Sequence, residues 1–167
     1  MILRSPSLRW AAAGLALAGM AAAFLGWRFA GPFGSASPGV LRIDDAVMLK
    51  RGEQLYQARC ASCHGANLEG QANWREMGAD GRLPAPPHDE SGHTWHHPDD
   101  VLIGITKDGV AKVAGLTDYA TNMPAFGDSL SDADIVAVLS WIKSQWSPET
   151  RRHHDDINRQ ASLRSPR

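Results

Sequence analysis

Residues 60–64 read Cys-Ala-Ser-Cys-His, and the reading of these five residues decides what kind of domain surrounds them. Two thiols separated by two residues on a turning backbone match the spacing of the two vinyl groups of a haem. A histidine directly after the second thiol then points its imidazole at the iron. Cys60 and Cys63 are the only cysteines of the chain, so covalent attachment of one haem c accounts for both, with His64 as an iron ligand. Three other readings compete: a structural disulfide, a thioredoxin-like redox pair and part of a zinc site. The first two leave His64 without a task, and the redox pair belongs where a strand meets a helix, a pattern this sequence lacks. A zinc site wants further ligands of the same kind, and no third cysteine exists.

Working outward, AVMLKRGEQLYQARC (residues 46–60) predicts a helix beginning near Asp44 or Asp45 and running into the motif. Acidic residues lead it and basic ones follow, as the helix dipole favours. Residues 65–95 show no sustained period and carry GADGRLPAPPHDESG, dense in proline and glycine, which predicts an ordered loop. A second helix is expected from about Pro98 to Lys107, with proline at the first position, Asp99 and Asp100 in the first turn and Gly109 as a stop. The clearest helix is SLSDADIVAVLSWIKSQW (residues 129–146). Ser131 and Asp134 have capping-box-like spacing, and Ile135, Val138, Leu139, Ile142 and Trp146 form one apolar stripe. Residues 148–167 are polar and without apolar period, which predicts a disordered tail.

At the other end, MILRSPSLRW places two arginines and no acid before an apolar run of 18 residues, Trp10 to Trp27. That combination is an export signal. Residues 1–30 read as a signal-anchor, since the run is long enough to span a bilayer. GSAS at residues 34–37 offers a signal peptidase small residues, so a cleaved signal is the alternative. Residues 31–43 read as a Pro/Gly-rich linker and 44–147 as the folded domain. From residue 31 to residue 147 there are nine basic and fifteen acidic residues, a formal −6. This balance excludes a nucleic-acid partner, which needs a net basic surface, and suits encounter with a basic patch on a partner protein.

From about Lys50 to Trp146 the chain resembles the single-haem, class I c-type cytochromes of the bacterial periplasmic or membrane-anchored kind. The residues that carry the resemblance are GEQLYQARCASCHG, PAPP, NMPAF and IVAVLSWIKSQW. The resemblance implies a small all-α, cytochrome c-like domain wrapped around one covalent haem, its first and last helices crossing. In the family a glycine and an aromatic on the first helix meet an aromatic on the last, and Gly52, Tyr56 and Trp141 match those positions. Gly52 is otherwise costly, since glycine inside a helix gives up about 1 kcal/mol relative to alanine. The resemblance also implies that a carbonyl in the proline-rich segment, Pro86 or next to it Pro84, accepts a hydrogen bond from His64 and fixes its ring.

The second axial ligand is expected to be Met123. Pro124 pushes Met123 toward extended backbone, and NMPAF matches the family's distal-ligand motif. Of the other four methionines, Met1 and Met20 lie in the export segment, Met48 on the first helix and Met77 in a loop. Arg82 and Trp95 are expected near the haem propionates, and Tyr119 and Asn122 beside the sulfur. The run SGHTWHH (residues 91–97) gives a rival chemistry, since His93, His96 and His97 could ligate iron or hold copper or zinc. His97 directly precedes Pro98 at a helix start, so the run is expected to edge the pocket instead.

With both axial positions filled, the expected function is one-electron transfer outside the cytoplasm, between redox partner proteins such as membrane-bound respiratory or dehydrogenase complexes, rather than catalysis. An open-site haem enzyme subunit or a copper- or zinc-handling module are the alternatives.

Overall fold

The computed structural model describes residues 39–164, which form helices and loops with no strand among the described residues. The export run and residues 31–38 of the linker lie outside the described residues. Among the described residues no helix is long and apolar enough to cross a membrane.

Helix α1 spans Ala46–Arg59 and starts where Asp45 caps it, its carboxylate accepting from the amides of Val47 (3.1 Å) and Met48 (3.0 Å). A short turn of helix, α2 (Ala61–His64), carries the cysteine motif and stops at Gly65, whose φ of +83° is open to glycine at no steric cost. After the long loop, a 3-10 turn at Thr94–His96 leads into α3 (Asp99–Asp108) and α4 (Val110–Ala114). Helix α5 spans Asp132–Ser144, with the Ser131 hydroxyl accepting from the Asp134 amide at 3.2 Å. Its apolar stripe is buried in full: Ile135, Val138, Leu139, Ile142 and, just past its end, Trp146 join Leu41, Leu55, Tyr56, Leu68, Leu102 and Leu130 in one core.

Helices α1 and α5 cross at Gly52. A side chain there would overlap the Ala137 carbonyl and come within 2.9 Å of the Trp141 Cβ. One turn on, the Tyr56 ring lies 4.7 Å from the Trp141 ring, and its hydroxyl donates to the Gly65 carbonyl at 2.8 Å. The helix crossing is thereby tied to the end of the cysteine motif. Gly52→Ala is expected to cost about 2 kcal/mol, because forcing two packed helices apart outweighs the roughly 1 kcal/mol that alanine gains as a helix former. Denaturant melting of the two proteins checks this, and an equal or higher midpoint for the alanine variant would contradict it.

Two expectations need correction. The polar tail is a helix, α6 (Pro148–Arg164). Pro148 suits a helix start, and the Ser147 hydroxyl accepts from the Thr150 amide at 3.2 Å. The inward face is polar rather than apolar, with His154 and Asn158 buried one turn apart. Nor do residues 39–43 act as a linker. The Val40 and Leu41 amides donate to the Asp99 carboxylate (2.6 and 3.0 Å), the Arg42 amide donates to the Ser140 hydroxyl (3.0 Å), and Leu41 is buried.

The same Asp99 receives α6. Asn158 donates its side-chain amide to Asp99 (3.0 Å) and accepts from the Asp99 backbone amide (2.8 Å). His154 donates from Nε2 to the His97 carbonyl at 3.0 Å, and buried Lys143 meets Asp155 at 2.5 Å. Burial holds His154 below the usual imidazole range, and the nearby Lys143 cation adds to the shift, against opposing pulls from Asp99 and Asp155. Every buried polar side chain in the described region has a partner, so α6 is docked by satisfied hydrogen bonds where an apolar face is absent.

Candidate functional site

The cysteine motif is built by α1 running one turn too far. The Cys60 amide still donates to Tyr56 (2.8 Å), and the Cys63 and His64 amides both return to the Cys60 carbonyl (3.1 and 2.9 Å). This helical turn separates the two thiols by two residues and leaves both free, Cys60 half-buried and Cys63 exposed. The Cys60 thiol is pushed up to about 11, chiefly by burial and then by the neighbouring Cys63. A thioredoxin-like pair needs the opposite shift, toward a reactive thiolate.

His64 is buried, and its Nδ1 lies 2.8 Å from the Pro86 carbonyl oxygen, to which it donates. That bond fixes the tautomer and leaves Nε2 as the free lone pair, the state a metal requires of imidazole. Burial lowers the ring's proton affinity, which keeps it neutral, while the Pro86 bond works against that shift. Two thiols beside one neutral, oriented imidazole is a donor set that fits a covalent haem.

The proline-rich loop reaches His64 because it is stitched back on the motif. The Gly70 amide donates to the His64 carbonyl (2.7 Å), the His88 amide to Leu68 (2.8 Å), and the Gln71 amide to Ala85 (2.9 Å). Pro86, half-buried, therefore sits at His64 through backbone hydrogen bonds rather than through an apolar pattern.

A residue that sequence reasoning missed lies in the same loop. The His88 ring stacks on the His64 ring with centroids 4.0 Å apart and planes 21° from parallel. Its Nδ1 meets the Thr94 hydroxyl at 2.8 Å, its carbonyl accepts the Trp146 indole N–H at 2.8 Å, and the Tyr56 ring meets it edge-on at 6.3 Å. Burial drives His88 well below the ordinary imidazole range, helped by His64 and His93. Its sequence signal was only its place two residues after Pro86.

The other expected site residues are spread wider. Met123 is half-buried, its amide donating to the Thr121 hydroxyl at 3.1 Å, whereas Met77 is 69% exposed. Tyr119 is half-buried and Asn122 exposed. Arg82 is exposed, its guanidinium 3.8 Å from Asp80. Trp95 packs on α6: its ring stacks on His96 at 3.6 Å and meets His153 edge-on at 5.4 Å, and its indole N–H reaches the Glu90 carbonyl at 3.4 Å. Arg82 thus has an acidic neighbour, and Trp95 lies against the terminal helix.

His93, His96 and His97 do not converge. His93 stacks on Trp74 at 5.3 Å and meets His97 edge-on at 5.5 Å, while His96 turns to Trp95 and His153. Among the described residues no group of three or more histidines, cysteines and acids could hold a metal. The 3-10 turn directs His93 to Trp74 and His96 to Trp95.

The profile of the family described as Cytochrome c matches residues 49–146. No curated protein and no solved structure gives a significant match.

Proposed function

This chain belongs to the cytochrome c family, whose members bind covalent haem c and transfer electrons, and from that premise we propose that it is a class I, single-haem, one-electron carrier working outside the cytoplasm. The observation that carries the reading is the His64–Pro86 hydrogen bond beside two free thiols, which leaves one imidazole nitrogen for a metal. Haem c, when bound, supplies reversible one-electron chemistry at its iron.

Cys60 and Cys63 are the attachment points and His64 the proximal ligand. Met123 is the distal ligand: Pro124 fixes extended backbone next to it, and the Thr121 hydroxyl holds its amide. A thioether in that position closes the site to small molecules and raises the potential, which favours electron transfer over catalysis at an open face. The acidic surface suits redox partners with basic patches, in membrane-bound respiratory or dehydrogenase complexes. The basic start and apolar run at residues 1–27 support export to the periplasmic side of a bacterial inner membrane, with the run as anchor.

Met123→Ala tests the distal assignment. The wild-type ferric protein is expected to show the weak far-red band that methionine ligation gives haem iron. The variant is expected to lose that band, fall in reduction potential and bind carbon monoxide when reduced, while keeping its covalent haem. A wild-type protein without the band that binds carbon monoxide would instead mark an open-site enzyme subunit.

A further inference from the structure

We propose that His88 is a positioning residue that sets the plane of the His64 imidazole; the inference rests on the reading of His64 as the iron ligand. A ligand imidazole can turn about its metal–nitrogen axis. The Pro86 carbonyl restrains it only at one point of its rim, Nδ1. A flat ring laid against its face removes the remaining rotation, and the His88 ring does this at a centroid distance of 4.0 Å and 21° from parallel.

His88 is itself held on several sides. Its backbone amide donates to Leu68 and its carbonyl accepts from the Trp146 indole, each at 2.8 Å. Its Nδ1 is fixed by the hydroxyl of buried Thr94, and the Tyr56 ring closes its edge. The bond to Thr94 explains why a histidine serves here better than an apolar residue of similar size: a leucine or phenylalanine would pack but could turn. Thr94 precedes α3 and Trp146 follows α5, so the orientation of His64 is referred to the helical frame rather than to the loop alone. A positioning group of this kind works only when its own rotamer is locked by packing and hydrogen bonds.

The plane of an axial imidazole governs how unevenly it splits the iron orbitals in the oxidised protein. Haem-methyl shifts in proton NMR and the anisotropy of the ferric EPR signal therefore report it, and a purely structural residue leaves both unchanged. The experiment compares the full-length, haem-loaded wild type with His88→Ala and His88→Phe. In His88→Ala the haem-methyl shifts are expected to reorder and the EPR signal to broaden, with the pyridine haemochrome spectrum unchanged because Cys60 and Cys63 still hold the haem. His88→Phe keeps a flat ring on His64 and is expected to restore most of the wild-type pattern, with some broadening from the lost Thr94 bond. A wild-type pattern in His88→Ala, even with a lowered melting temperature, would reduce His88 to packing and overturn the proposal. Equal perturbation in both variants would overturn it too, since stacking is the claim. Failure of the underlying reading looks different: the wild type itself would lack a haem c haemochrome or a low-spin ferric signal.

Discussion

Cys60→Ser combined with Cys63→Ser is expected to give a chain that lacks the mass of a porphyrin and shows no cooperative melting. Serine nearly preserves the shape of each side chain, so little packing is lost at half-buried Cys60 and less at exposed Cys63. What disappears is the thioether chemistry. A porphyrin bonded to both cysteines would add a large apolar surface to a modest core, and a core that loses it buries correspondingly less. Here eleven buried apolar residues carry the core, and the fold also buries the His64 ring, with half-buried His88 stacked on it. Mass spectrometry of the intact protein and circular dichroism during heating check both halves of the expectation. Native-like helix content with a sharp melt in the haem-free double variant would show that the helices and their caps suffice alone.

Asp99→Ala is expected to cost about 4 kcal/mol, since removing a buried carboxylate strands every donor that converges on it. Three are within hydrogen-bond distance: the Val40 and Leu41 amides on Oδ2 and the Asn158 side chain on Oδ1, with His154 Nε2 a further 3.5 Å neighbour. Alanine leaves these groups in a space that is nearly closed to water, Asp99 being 3% exposed. The isosteric Asp99→Asn is informative as well. Its amide arm would present a donor to donors on one side or the other, so it should recover only roughly half of the loss. Urea midpoints of the haem-loaded proteins, followed by helix content, check the order wild type, Asn, Ala. A loss under about 1 kcal/mol for Ala would place Asp99 among ordinary surface substitutions and remove its role as the meeting point of three chain segments.

What could be read from the sequence and what could not divide along a physical line. Helix α5 was legible because its buried face is apolar, so Ile135, Val138, Leu139 and Ile142 announce their period. Helix α1 was legible through its acidic start and Gly52 through its cost. The His64–Pro86 contact followed from the resemblance, and the structure sets those two atoms 2.8 Å apart. Helix α6 was illegible because its inward residues, His154 and Asn158, are polar and owe their burial to partners 57 and 59 residues away. An apolar period cannot register such a face. His88 was illegible for a related reason: ring stacking on His64 arises from how the loop returns, and no spacing encodes it. The run SGHTWHH marks the limit of nearness along the chain, where a metal site was only the alternative reading. Nearness along the chain suggested a cluster, but the 3-10 turn sends His93 to Trp74 and His96 to Trp95.

The docking of α6 bears on where this protein can be cut or grafted. The residues matched by the family profile stop at 146, yet a chain trimmed there would open to water the buried Lys143 side chain and the Asp99 carboxylate on which the Val40 and Leu41 amides lean. Anyone grafting this domain onto another protein must therefore carry the last helix along, because the inherited unit and the packed unit have different ends.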